Sequence, residues 1–191
     1  MLFLNQNLKI MKKLLVVVLA IFLCLGVSAQ NHLEFMGVPI DGSIKKISQQ
    51  LTEKGLFSLG EVNDIAYFMG TVLGYDDCVI GVVPLEDQDL AYSVLVSILN
   101  FSDWASLQNA YFDLKKKLTK EYGKPEKSEE TIATPVQSDA EKFQSVIDGW
   151  CDYKTTFVTK YGEIDLSIES FEGLPCMIIQ YTDEENALKG K

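Results

Sequence analysis

Glu163-Ile164-Asp165-Leu166-Ser167-Ile168-Glu169 places a branched aliphatic residue between an acid or a serine at every step. Alternation with period two is the signature of a strand with one dry and one wet face. A half-wet strand belongs to an antiparallel sheet covered on one side only. Outward from this stretch, Tyr161-Gly162 and residues 171–174 read as turns that join it to apolar runs at 150–160 and 175–182, giving a three-stranded meander. A two-residue turn at Tyr161-Gly162 sets Lys160 opposite Glu163. Cys151 then shares a face with Phe157 and Leu166, while Cys176 lies on the other face.

Upstream of the meander, Ser138-Asp139-Ala140-Glu141 spells a capping box for a helix through Phe143, Val146 and Ile147, closed by Asp148-Gly149. Residues 124–137 are polar, carry two prolines and read as a long loop. Before them Trp104, Leu107, Tyr111, Leu114, Leu118 and Tyr122 step by three or four along one helical face, with Ser102 as the expected cap and Gly123 and Pro125 as the stop. Ser102 also completes an Asn100-Phe101-Ser102 glycan pattern, for which the cap is the simpler explanation. In the first half, Asp41-Gly42-Ser43 offers an N-cap for a helix with Ile44, Ile47 and Leu51 as its buried stripe. Runs at 64–73, 78–84 and 90–99 follow as three strands, with Gly70 read as a bulge. The halves share an order, helix plus three strands. The simplest packing is an α+β two-layer sandwich, an antiparallel sheet with helices on one face. The tail from Asp183 reads as frayed.

Phe35-Met36-Gly37-Val38-Pro39-Ile40-Asp41-Gly42, then Gly70 to Cys78 ending in Gly74-Tyr75-Asp76-Asp77-Cys78, then Trp104 to Pro125 closing in Glu121-Tyr122-Gly123-Lys124-Pro125, resemble a family of small exported bacterial proteins of unknown function. That resemblance spans most of the chain and implies no activity. The layout is also similar to that of β-lactamase-inhibitor-like domains, which bind other proteins through an open sheet face; this is an analogy of topology.

Met11-Lys12-Lys13 precedes an apolar run at 14–25 and the small residues of Val27-Ser28-Ala29, the pattern of a signal peptide cleaved before Gln30, with Met11 as the expected start. The apolar run falls short of the roughly 20 residues that a membrane span needs, so no membrane anchor is expected after cleavage. Leu23 before Cys24 is too bulky for a lipid-attachment site. The expectation is a signal segment at 1–29 and a single domain at 30–191, exported to the periplasm or beyond the cell.

The 191-residue chain has a formal net charge of −10, and all 17 of its basic residues are lysine. Nucleic-acid recognition relies on a basic surface and on the planar fork of arginine, so no nucleic-acid partner is expected. Lys115-Lys116-Lys117 with Lys120 reads as a solvated helix face near a C-terminus. His32 is the sole histidine and is read as an exposed residue near the start of the exported chain. It leaves no footing for a multi-histidine metal site, and no nucleophile, nucleotide or cofactor motif is present. No metal and no cofactor are expected. The acids at Asp76-Asp77, at 86–89 and at 183–185 lack the ligand spacing of a calcium loop and read as solvated turns. Cys78, Cys151 and Cys176 read as free thiols packed as small apolar residues.

These exclusions favour a non-catalytic binding or inhibitory domain for a protein or envelope ligand. The alternative is a small carboxylate-dependent, glycosidase-like hydrolase of the envelope. Cys78, Ile80 and Val82 alternate with Val79, Val83 and Leu85, so both faces of that strand are apolar. Either the chain covers the second face, with residues 31–40 or the loop to 137, or a partner does. Ile80 and Val82 are the binding residues expected on the partner reading.

Overall fold

Four of the hairpins among the described residues close on two-residue turns: Met36-Gly37, Asn63-Asp64, Leu73-Gly74 and Glu172-Gly173. Both residues of each have positive φ, and each joins directly paired residues such as Val62 with Ile65 and Phe171 with Leu174. Turns with positive φ at both central residues carry the twist that suits paired strands, and glycine at the second position adopts it without steric cost. The structure, a computed structural model, describes residues 32–133 and 135–190. The segment read as an export signal lies outside the described residues.

A short hairpin, β1 (Glu34–Phe35) and β2 (Val38–Pro39), leads into α1 (Ile44–Glu53) and the meander β3 (Phe57–Val62), β4 (Ile65–Val72), β5 (Tyr75–Pro84) and β6 (Ala91–Ile98). The second half runs α2 (Trp104–Tyr122), β7 (Lys127–Ile132), α3 (Asp139–Ile147), β8 (Cys151–Val158), β9 (Gly162–Phe171), β10 (Leu174–Asp183) and α4 (Glu184–Lys189). The strands form one eight-stranded antiparallel sheet ordered β3-β4-β5-β6-β10-β9-β8-β7. Each half is a meander whose last strand meets the other at the centre and whose first strand is an outer edge.

α1 packs on β3, β4 and β5, while α2 and α3 pack on β8, β9 and β10. One sheet face is therefore dry. Its core joins Ile44, Ile47 and Leu51 of α1, the stripe Trp104, Leu107, Tyr111, Leu114 and Leu118 of α2, and the aliphatic series Ile164, Leu166 and Ile168. The fold is the expected α+β sandwich, with α1, α2 and α3 on one face and α4 at an end of the sheet. Each half supplies four strands to this sheet instead of three, because residues 57–62 and 127–132, the latter within the expected loop, form β3 and β7. Asp103, not Ser102, caps α2 by accepting from Ser106 N at 2.8 Å. The capping box at Ser138 is formed in full. Val158, not Lys160, faces Glu163. The shift is two residues, so Cys151 and Cys176 keep the faces expected of them.

Candidate functional site

Ile80 and Val82, the binding residues expected from sequence, have no exposed surface and lie on the helix-covered face. They belong to the same apolar cluster as Leu33, Phe35, Val38 and Ile40. α1 packs on β5 and covers this face, so neither residue has surface left for a partner. The opposite parity, Val79, Gly81 and Val83, faces the open side. One signal in the strand marks this choice: the series 78, 80, 82 is filled by large or sulfur-bearing side chains, whereas 79, 81, 83 is broken by a glycine that cannot contribute to a core.

The register orders the open face into rows. Met69, Val79, Ser97, Ile178, Ser167, Lys154 and Glu129 follow one another across neighbouring strands. Tyr67, Gly81, Leu95, Gln180, Asp165, Thr156 and Lys127 form the next row. Apart from Ser97 and the Tyr67 hydroxyl the rows are free of polar side chains from β4 to β6, and apart from Ile178 they are polar from β10 to β7. Tyr67 lies opposite Gly81, and a Cβ at Gly81 would meet Ile65 at 3.4 Å and the Tyr67 ring at 3.7 Å, so the two side chains roof the glycine. No described helix covers this face. α4 borders one end of it, where Glu184, Ala187 and Leu188 meet Val158, Glu163 and Thr182 around a shallow hollow of about 290 Å³.

The first-half edge adds to the apolar surface. On β3 Phe57 is 67% exposed, Leu59 51% and Val62 60%. Phe57 and Val62 share the open face with their partners Met69 and Ile65, and Leu59 sits at a bulge between Ser58 and Gly60. Two clefts flank the end of this edge. One, of about 330 Å³, is lined by Glu61, Asp64, Asp87 and Asp89 with Lys45 as its one cation. The other, of about 770 Å³, runs between Ile65, Val83 and Tyr92 and the end of α4, with Asp64, Glu86 and Asp87 on its wall. The apolar half of the open face thus ends on an acidic rim.

The remaining polar constellations hold the fold together. His32 is not an exposed terminal residue. Its Nδ1 lies 3.1 Å from the fully buried carboxylate of Asp183 and its Nε2 3.9 Å from both Asp41 and Glu185. Asp183 also accepts from Leu33 N at 2.7 Å and Asn186 N at 2.9 Å. Asn186 in turn donates to the carbonyls of Ile40 and Ala91, so the chain past Asp183 is docked as α4 and not frayed. Lys115 pairs with Glu130 and donates to Ser128, and Lys117 donates to the Leu73 carbonyl at 2.8 Å, so the lysine run is in part a brace between α2 and the sheet. Among the described residues no group of His, Cys, Asp and Glu is arranged to hold a metal ion. No described helix is long and apolar enough to cross a membrane. Comparison with known proteins finds no match to a family model, to a curated protein or to a solved structure.

Proposed function

We propose that the chain is an exported, non-catalytic binding module that takes a protein partner on the apolar half of its open sheet face. The observation that carries this reading is the patch of Met69, exposed, and Tyr67, Val79, Leu95 and Ile178, each half-buried, continued by the exposed side chains of β3. Contiguous apolar surface on a soluble domain marks an interaction site. The acidic rim favours a basic partner and makes association weaken with salt. The hydrolase alternative has less to build on. In the acidic cleft Asp89 is committed to the first turn of α1 through Ile44 N at 2.8 Å. Glu61, Asp64 and Asp87 are exposed to bulk water, whereas carboxyl acid–base pairs rely on a desolvated member. Export rests on the lysine-flanked apolar run and the Val27-Ser28-Ala29 site.

The test pairs Tyr67→Asp and Leu95→Asp on the open face with Ile80→Asp in the core. The double open-face variant should keep its melting temperature nearly unchanged and lose capture of a partner from envelope extracts. Ile80→Asp should unfold the domain, because it buries a charge without a partner. Undiminished capture by the folded double variant would refute the reading. Mass spectrometry of the natural protein should find Gln30 as the first residue; an intact Met1 or Met11 would remove export from the proposal.

A further inference from the structure

β3 and β7 are the two outer edges of one sheet, and they are built differently. β7 reads Lys-Ser-Glu-Glu-Thr-Ile and is decorated with charge: Lys127 pairs with Glu129 at 3.1 Å, Lys154 of the adjacent strand stands beside them, and Glu130 pairs with Lys115. Charges on an edge are the ordinary protection against pairing with another chain. β3 reads Phe-Ser-Leu-Gly-Glu-Val, is exposed along all six residues and carries one charge. Glu61 pairs with Ala66 and so shares the helix side of the sheet, leaving the open side of β3 without any charge. Its outer ladder groups have no strand partner among the described residues.

We propose that β3 is a strand-addition edge, and that the partner lays an extended segment along Phe57–Val62 with a lysine or arginine at the Val62 end. The inference rests on the binding reading above and specifies its mode. Main-chain hydrogen bonds supply affinity in this mode of recognition, and pockets for individual side chains supply specificity. Charge complementarity selects the occupant. The Val62 end of β3 runs into Glu61, Asp64 and Asp87, which line the clefts of about 330 and 770 Å³. A cationic side chain ending the added strand enters an environment that holds several carboxylates against Lys45 and Lys189. The bulge between Ser58 and Gly60 disfavours a second copy in this place, since two bulged edges would have to meet distortion with distortion. A single flexible segment adapts to it.

The probe is a synthetic peptide of alternating valine and threonine ending in two lysines, added to the domain at low salt. It is compared with the same peptide ending in two glutamates and with one N-methylated at alternate amides. Backbone amide exchange and side-chain NMR shifts are read together. The lysine peptide should protect amides within residues 57–62, the glutamate and N-methylated peptides should not, and Glu61→Lys with Asp64→Lys should weaken protection at least tenfold. Phe57→Lys with Leu59→Lys, at exposed positions that leave the core intact, should abolish it. Shifts at Tyr67 and Leu95 without protection of β3 would overturn strand addition while leaving the open-face reading standing. No response at either place would count against both. A concentration-dependent dimer in sedimentation that disappears in the double lysine variant would assign the edge to a second copy and overturn the proposal.

Discussion

The residue with most at stake is Asp183. Its buried carboxylate takes the backbone N–H of Leu33, the N–H of Asn186 and the His32 ring, so it ties the start of the described chain to its last helix. None of this was legible from sequence. His32 and Asp183 lie 151 residues apart, and nothing in the spacing of an isolated histidine marks its partner. Asp183→Ala would leave two buried N–H groups without acceptors, so it should cost about 2–4 kcal/mol in urea denaturation. His32→Ala leaves both N–H bonds in place and should cost less. The cysteines were legible, because period two fixes their faces. Burial pushes the Cys151 and Cys176 thiols up to about 11 from an ordinary value near 9. Both groups are therefore neutral at pH 7 in the folded and the unfolded state. Their contribution is complete below about pH 9 and is lost as pH rises toward 11, because the unfolded chain ionises first. Alkylation of the folded protein at pH 8 should be slow. The unfolded, unreduced domain from Gln30 onward should count three free thiols; a count of one would mean a disulfide.

At the scale of elements, the two strands of the eight-stranded sheet that the sequence reading lacks are its two edges. A strand becomes visible through alternating burial, and β3 is exposed at every position while β7 is exposed at all but two. The side chains of such edges answer to solvent and to a neighbouring helix. Ser128 reaches the buried pair Tyr111 and Thr155, whose hydroxyls lie 2.6 Å apart, and Lys115 closes the network from α2. The six inner strands and the buried stripes of α1 and α2 were legible because their periodicity follows burial. Caps were legible as chemistry and misplaced by one residue at α2, where serine and aspartate adjoin. Asp103→Ala should cost about 1 kcal/mol and Ser102→Ala only a few tenths, since the aspartate alone holds the Ser106 amide. Gly162 is constrained more tightly. A Cβ there would stand 2.0 Å from the carbonyl oxygen of Thr182, a backbone atom that cannot step aside without breaking the β9–β10 ladder. Gly162→Ala should therefore destabilise by about 3 kcal/mol or more, and an unchanged thermal midpoint would show that the ladder can open at that point.

Across the whole molecule, the repeat was legible as an order of elements, but its geometry was not, because sequence order does not say which strands meet. The seam is the pairing of β6 with β10, which sets Val96 beside Ile179 and Val94 beside Tyr181 in the core. Each half therefore leaves the last strand of its meander unfinished until the other half is present. A second connection runs around the end of the sheet, where Asn186 of the second half bonds Ile40 and Ala91 of the first. The apolar cluster is continuous from Ile44 of α1 to Phe157 of β8. A fold with one cluster and a shared sheet has no boundary at which a half can melt alone, so its unfolding should be two-state. Trp104 is buried in the second half and reports on it by fluorescence, while the amides of β5 report on the first by hydrogen exchange. Ile80→Val removes one buried methylene from the first half and should cost about 0.5–1.5 kcal/mol. If the halves are coupled as the seam requires, this change lowers the urea midpoint seen by Trp104 as much as it lowers the protection of β5. A Trp104 transition that stays in place while β5 loses protection would show that the halves unfold independently, and that the seam is a weak contact instead of the centre of one sheet.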